Sequence, residues 1–156
     1  MAVAVRLPGL LQSQLSPSLG FWLDAPYSGA PTPCSHTIPT VPDVRERATD
    51  QQTISRGIVA IYKDFVGRGP TTAQTTITDA FVTTICRDTL TRAERTLVDS
   101  GDGDVVRGMR RKFQAAMSKE MIRLVEQTTG RHAAAFLSDH DVEQDIAIET
   151  IVLVDF

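Results

Sequence analysis

Proline placement divides this chain into two parts. Seven of its eight prolines lie at positions 8, 17, 26, 31, 33, 39 and 42, and Ser, Thr and Gly fill much of the sequence between them. Such a segment buries too little apolar surface to offset the conformational entropy that is lost on ordering. We therefore predict that residues 1–48 form a disordered Pro/Ser-rich tail, and that residues 49–156 fold as a single domain. The alternative is a short docking motif around Phe21, Trp22 and Leu23.

Regular hydrophobic spacing begins with a capping-box sequence at Thr49. Apolar residues then recur every three or four positions, which predicts a helix. Gly67 ends this helix, and Pro70 prevents its continuation. The β-branched residues in 72–77 and 80–87 predict a β-hairpin directly after it.

Two further helices and two further strands follow. Thr91 and Glu94 form a second capping box, which opens a short helix, and a long helix then runs to about Thr129. Residues 132–137 and 145–154 are predicted strands. The order α-β-β-α-α-β-β indicates an α+β fold. We expect a two-layer α/β sandwich, in which an antiparallel sheet of two hairpins carries the helices on one face.

Composition excludes several classes of function. The net charge of −3 and the pI of about 5.6 favour no nucleic-acid partner. No apolar run approaches the roughly 20 residues of a membrane-spanning helix, so we expect no direct membrane insertion. The two cysteines, Cys34 and Cys86, form no Cys-x-x-Cys pair and predict neither a disulfide framework nor a thiolate zinc site. We predict a cytoplasmic protein without a cofactor.

The loop after the first helix is a candidate anion-binding site. It contains Gly67, Arg68, Gly69, Thr71 and Thr72, which could offer backbone N–H groups and a guanidinium to a phosphate. The loop is neither a Walker motif nor a dinucleotide fingerprint, because no strand precedes it. The end of the helix already explains Gly67, so both interpretations of the loop stay open.

Glu120 is a candidate buried polar group. At 100° per residue it falls between Met109 and Phe113 on the apolar stripe of the long helix. A carboxylate there is costly unless it is paired, and Arg87 or Arg131 could pair with it. The alternative is that Glu120 lies at the rim of the stripe and reaches water.

Two features predict a homodimer. Residues 87–131 hold ten Lys or Arg against seven Asp or Glu, whereas residues 132–156 hold no Lys or Arg and six acids. The two segments could therefore complement each other across a two-fold axis. The last strand is also largely apolar on both faces, and the second half of the long helix is apolar most of the way round. We expect a homodimer that uses the free face of the sheet or the second half of that helix.

No pattern of residues indicates catalysis. The acidic stretch 139–145 includes His140 but lies between two strands, where a turn favours such residues, so we predict no metal site. No Ser-His-Asp or Cys-His set has suggestive spacing, and we predict that the protein is not an enzyme.

Five sequence blocks, in order over about residues 50–155, resemble the MpsC-like family. Leu-Thr-Arg-Ala-Glu at 90–94 and Thr-Gly-Arg at 129–131 are the most specific of them. The others are Gly-Pro-Thr-Thr-Ala at 69–73, Phe-Gln-x-Ala-Met at 113–117 and Phe-Leu-Ser-Asp at 136–139. This is a bacterial family of unknown function that is named for a sodium-translocating, membrane-potential-generating system.

The resemblance implies a small domain that accompanies membrane subunits implicated in ion or bicarbonate uptake. It implies no catalytic residues. The first hypothesis is therefore an accessory or regulatory subunit of a membrane complex. The second, drawn from the residues alone, is a small-ligand or anion sensor that uses the loop 67–72.

Overall fold

The computed structural model describes residues 3–6 and 44–154. The expected α+β fold and the order α-β-β-α-α-β-β are confirmed over residues 44–154. The helices are α1 (Val44–Val66), α2 (Arg92–Asp99) and α3 (Gly103–Thr129), and the strands are β1 (Val3–Arg6), β2 (Thr72–Ile77), β3 (Phe81–Arg87), β4 (His132–Asp141) and β5 (Ile146–Val154).

Two segments depart from the prediction of a disordered tail over residues 1–48. Val3–Arg6 is a strand that pairs antiparallel with β4, and α1 begins at Val44, five residues before Thr49. The helix extends further because the residues after Pro42 include good helix formers and no further proline. The remaining tail residues, with Phe21–Leu23, lie outside the described residues.

The five strands form one antiparallel sheet in the order β1-β4-β5-β3-β2. The hairpins β2–β3 and β4–β5 join through the pairing of β3 with β5, in which Ile85 lies opposite Ile148. A register shift between Ala133 and Ala135 marks a bulge in β4. β2 and β1 are the two outer strands of this sheet.

Helices α1 and α3 cover one face of the sheet. Gly57 allows them to approach each other, because a Cβ at this position would lie 2.5 Å from Leu124 Cδ2. The buried core lies between these helices and the sheet, and it includes Ile54, Ile58, Tyr62, Val82, Cys86, Met117, Met121, Ile122, Val125, Phe136, Ala147, Ile151 and Leu153. The second half of α3 therefore contributes its apolar residues to the core of the same chain.

In the described part of the chain, the other face of the central strands carries no helix. Along β5, Ala147, Glu149, Ile151 and Leu153 are buried, whereas Ile148 points the opposite way and is exposed. We call the outward-pointing side of β3, β4 and β5 the free face. It carries four large hydrophobic side chains that are between 39% and 41% exposed: Phe81, Ile85, Leu137 and Ile148.

Candidate functional site

Asp145 holds the segment that contains the Leu-Thr-Arg-Ala-Glu block. Its Oδ1 accepts hydrogen bonds from the backbone N–H of Thr89 at 2.9 Å and of Leu90 at 3.1 Å. Its Oδ2 accepts one from Arg95 Nη2 at 2.6 Å. Asp145 has a φ of 52°, a left-handed conformation that aspartate adopts more readily than most residues. These hydrogen bonds therefore connect the start of α2 to the turn between β4 and β5.

A buried ion pair links α2 to α3 beside this turn. Arg110 Nη2 lies 2.6 Å from Glu94 Oε2, and both side chains are at most 5% exposed. The same nitrogen donates to the carbonyl of Thr89 at 2.7 Å. Glu94 also closes the predicted capping box, because its Oε2 accepts from the N–H of Thr91 at 2.7 Å. Burial raises the pKa of Glu94, but hydrogen bonds from Arg110 and Thr91 outweigh it and lower the pKa overall.

His140 completes this set, which we call the Glu94 cluster: Thr89, Glu94, Arg110, His140 and Asp145. His140 Nε2 lies 3.3 Å from Thr89 Oγ1 and 3.5 Å from Asp145 Oδ1. Burial and the charge of Arg110 lower the pKa of His140, although Asp145 opposes them. All five side chains are buried. The main-chain carbonyl of Thr89 connects the Glu94–Arg110 pair to Thr89, His140 and Asp145, so the cluster joins α2, α3 and the β4–β5 turn.

A second buried acid lies further along the sheet, on β5. Glu149 is fully buried, and its Oε1 accepts a hydrogen bond from the Tyr62 hydroxyl at 2.6 Å. It forms no ion pair with any residue in the described ranges. Ser138 and Gln114 face the same carboxylate, yet only the Tyr62 bond has regular geometry, and Glu149 Oε2 has no hydrogen-bond partner. Burial raises the pKa of Glu149 to about 7 against the smaller effects of these neighbours.

Sequence reasoning missed both Arg110 and Glu149. Arg110 follows Val106 by four residues and so lies on the inward side of α3, and Glu149 alternates with Ala147 and Ile151 on β5. These spacings identify inward positions. The sequence did not show which face of β5 the helices cover, or that Arg110 would reach Glu94.

Glu120 lies at the rim of α3. Its side chain is 42% exposed and pairs with Arg123 at 2.5 Å. Neither expected partner reaches it: Arg87 lies exposed on β3, and Arg131 Nη2 donates to the carbonyl of Asp79 at 2.6 Å. The structure thus agrees with the rim interpretation, and the three candidate buried polar residues do not meet.

The loop 67–72 is bonded within the chain. Arg68 Nη1 donates to the carbonyl of Leu90 at 2.5 Å, and the N–H of Thr71 donates to the carbonyl of Arg87 at 3.0 Å. Gly67 has a φ of 82°, as expected for a residue that ends a helix. The loop therefore connects α1 to β3 and to the Leu-Thr-Arg-Ala-Glu block, and anion binding by the loop stays a prediction.

The free face is open along one shallow groove of about 540 Å³. Its apolar floor is formed by Ile85, Ile146 and Ile148. Charges of both signs surround this floor: Arg87 and Arg107, and Asp139, Asp141 and Glu143. Two of them already pair, because Arg107 Nη2 lies 2.8 Å from Glu143 Oε1. The groove thus combines an apolar centre with a mixed-charge rim, as many protein interfaces do.

Over residues 46–155 the chain matches the protein family described as "Na+-translocating membrane potential-generating system (MpsC)". The chain belongs to the MpsC family. No curated protein and no solved structure matches it significantly. Among residues 3–6 and 44–154, no helix is long and apolar enough to cross a membrane, and no group of three or more His, Cys, Asp or Glu side chains is placed to hold a metal ion.

Proposed function

We propose that this protein is a non-catalytic, cytoplasmic accessory or regulatory subunit of a membrane ion-translocating or bicarbonate-uptake system, and that it acts as a homodimer. Membership of the MpsC family supports the link to ion translocation, because the family is named for a Na+-translocating system that generates a membrane potential. The observation that carries the proposal of assembly is the free face, which leaves four large hydrophobic side chains exposed on neighbouring strands.

The exposed apolar residues of the free face lie on three neighbouring strands, with the Thr83–Thr150 pair between two of the apolar pairs. Ile85 on β3 lies opposite Ile148 on β5, and Phe81 lies opposite Val152 four residues further along the pair. Leu137 on β4 lies opposite Thr150, so it extends the surface across a third strand. Monomeric proteins rarely expose large contiguous apolar patches, and such patches mark interaction sites.

A second copy of the chain fits this surface because the surface is self-complementary in charge. Arg87 and Asp141 lie on opposite sides of Ile146, in adjacent strands of one sheet. In a two-fold dimer the same patch meets itself, so a cation of one subunit can approach an acid of the other. The second half of α3 is a weaker candidate for this contact because Met121, Ile122 and Val125 are already buried within the chain.

Sedimentation equilibrium of the full chain at micromolar concentration tests the dimer. We expect a dimer for the wild type and a folded monomer for Ile148→Glu, because a carboxylate at the centre of the interface would be desolvated without a partner. Val105→Glu is the matched control, since Val105 on α3 is 62% exposed and does not line the groove of the free face. A wild-type monomer, or equal dissociation by both variants, would contradict the proposed dimer.

The accessory role is tested in cells that encode the associated membrane subunits. We expect the full chain to co-purify with those subunits from detergent-solubilised membranes, and its deletion to reduce the sodium-dependent membrane potential that a potential-sensitive dye reports. Re-expression of the wild type should restore the potential. A deletion strain with normal potential and normal bicarbonate-dependent growth would contradict the role.

Anion sensing by the loop 67–72 has less support. The Arg68 guanidinium and the Thr71 N–H already donate to carbonyl groups of the same chain. An anion would have to compete with these bonds. No contact in the described residues favours it over the accessory role.

A further inference from the structure

Within residues 3–6 and 44–154, the outer strand β2 lacks the features that usually protect the edge of a sheet. Proteins block exposed edges with Lys, Pro, bulges or a covering segment. β2 reads Thr-Ala-Gln-Thr-Thr-Ile and contains neither a charge nor a proline. Its register with β3 is continuous from Thr72 to Ile77, without a bulge.

The hydrogen-bonding groups of β2 that face outward follow from its pairing. Thr78 N donates to Phe81 O at the hairpin turn, which fixes the alternation of bonded and non-bonded positions along β2 and β3. Gln74 and Thr76 therefore bond to β3. The N–H and C=O groups of Ala73, Thr75 and Ile77 point away from it, and they can receive one more strand.

A groove lies beside this edge. It has a volume of about 370 Å³ and is lined by Gln52, Ser55, Arg56 and Val59 of α1 and by Ala73 of β2. Alternate side chains of an added strand would point into it, next to the helix. A groove between an edge strand and a helix provides both main-chain bonds and side-chain selection.

The charge beside the groove is positive. Arg45, Arg56 and Lys63 follow one stripe of α1, at intervals of 11 and 7 residues. Their side chains form no ion pair with any other residue in the described ranges. The acids of α1, which are Glu46, Asp50 and Asp64, lie about 80–120° away from Arg56 around the helix. Two copies of this edge would bring like charges together, so a partner of opposite charge fits better than self-pairing.

We propose that β2 accepts an extended, acidic peptide segment of a partner protein as a sixth strand, which lies along the groove beside Arg56. The main chain of the segment bonds to Ala73, Thr75 and Ile77, and its acidic side chains meet the cationic stripe of α1. This surface is separate from the free face, so its occupation does not depend on the proposed dimer.

Binding of a synthetic peptide pool to the full chain tests this inference. The pool consists of eight-residue peptides in which Val, Thr or Ile alternates with Asp or Glu, and a matched pool carries Lys in place of the acids. We expect saturable binding of the acidic pool alone by fluorescence anisotropy, with a decrease at high salt. Hydrogen exchange should slow at the amides of Ala73, Thr75 and Ile77.

Variants locate the site. Arg56→Glu should weaken binding by about tenfold or more, whereas Arg92→Glu, an equal charge change at an exposed site on α2, should alter it by less than about twofold. Ala73→Pro should abolish binding and preserve the β2–β3 ladder, because the N–H of Ala73 faces outward. If Ala73→Pro does not fold, acidic peptides N-methylated at alternate residues replace it, and they should not bind the wild type.

Three results would overturn the inference. The first is the absence of binding by the acidic pool at millimolar concentration. The second is binding that neither Arg56→Glu nor the blocked backbone reduces. The third is slow exchange at Ala73, Thr75 and Ile77 in the full chain alone, since this would mean that the chain or a second copy already covers the edge.

Discussion

Glu94 and Glu149 are two buried glutamates of one small domain, and their surroundings shift their pKa values in opposite directions. Glu94 pairs with Arg110 and accepts a further hydrogen bond from the backbone N–H of Thr91, and its pKa is lowered. Glu149 has one hydrogen bond, from Tyr62, and no ion pair among the described residues, and its pKa is raised to about 7. The contrast shows that burial alone does not set the charge of a carboxyl group; the hydrogen bonds from Arg110 and Thr91 outweigh burial at Glu94.

The two acids also couple folding to pH with opposite signs. A lowered pKa means that Glu94 stabilises the fold above its unfolded-state pKa, and that this stability is lost as the pH falls through the folded-state pKa. A raised pKa means that the protonated form of Glu149 stabilises the fold at low pH, and that this stability is lost as the pH rises toward about 7. The domain therefore has one buried acid that favours neutral pH and one that favours acid pH.

The largest effect is expected when Glu94 loses its partner. Arg110→Met should destabilise the domain by about 3–5 kcal/mol at pH 7, because it leaves a carboxylate buried without a cation. The cost should shrink at acid pH, where Glu94 can take up a proton. Chemical denaturation at both pH values measures the change.

Arg123→Met is the control for that variant. It removes an exposed ion pair of the same helix, with Glu120, and should cost less than about 1 kcal/mol. Equal effects of the two substitutions would mean that the buried pair contributes no more than a surface pair.

A smaller effect of opposite sign is expected at Glu149. Glu149→Gln should be more stable than the wild type at pH 8 by about 3 kcal/mol, because glutamine can still accept the Tyr62 bond and carries no charge. The difference should decrease as the pH falls from about 7 toward 4.5. Denaturation midpoints between pH 4.5 and 8 test this expectation, and a difference that does not vary with pH would show that Glu149 titrates normally.

The comparison of Glu94 with Glu149 also shows where sequence reasoning was sufficient. Thr91 and Glu94 predicted the start of α2 because a capping box is a local pattern, and Gly130 ends α3 with a φ of 68° for the same kind of reason. Arg110 reaches Glu94 across 16 residues and Tyr62 reaches Glu149 across 87. Such contacts depend on how the helices lie on the sheet, which periodicity does not specify.

The sequence also did not show which residues of an apolar face would be covered by neighbouring elements. The wheel of α3 placed Glu120 inside the apolar stripe, but a wheel does not show how far around the helix the neighbouring elements reach. For β5, alternation separated Glu149 from Ile148 correctly, yet both faces were apolar, so the covered face was undetermined. The strand β1 was also missed, because its pairing with β4 joins residues that are more than a hundred positions apart.

The smallest effect is expected for Glu120, a third glutamate, which lies at the rim of the apolar stripe of α3. Its side chain is 42% exposed, and its ion pair with Arg123 faces solvent. Glu120→Gln should change the stability by no more than about 0.5 kcal/mol at pH 7, since surface pairs of this kind contribute little. Denaturation at low and high salt measures the contribution of this ion pair, which should fall as the charges are screened. A cost above about 1 kcal/mol that persists at high salt would show that Glu120 is desolvated after all, and would place it with Glu94 and Glu149 as a third buried acid.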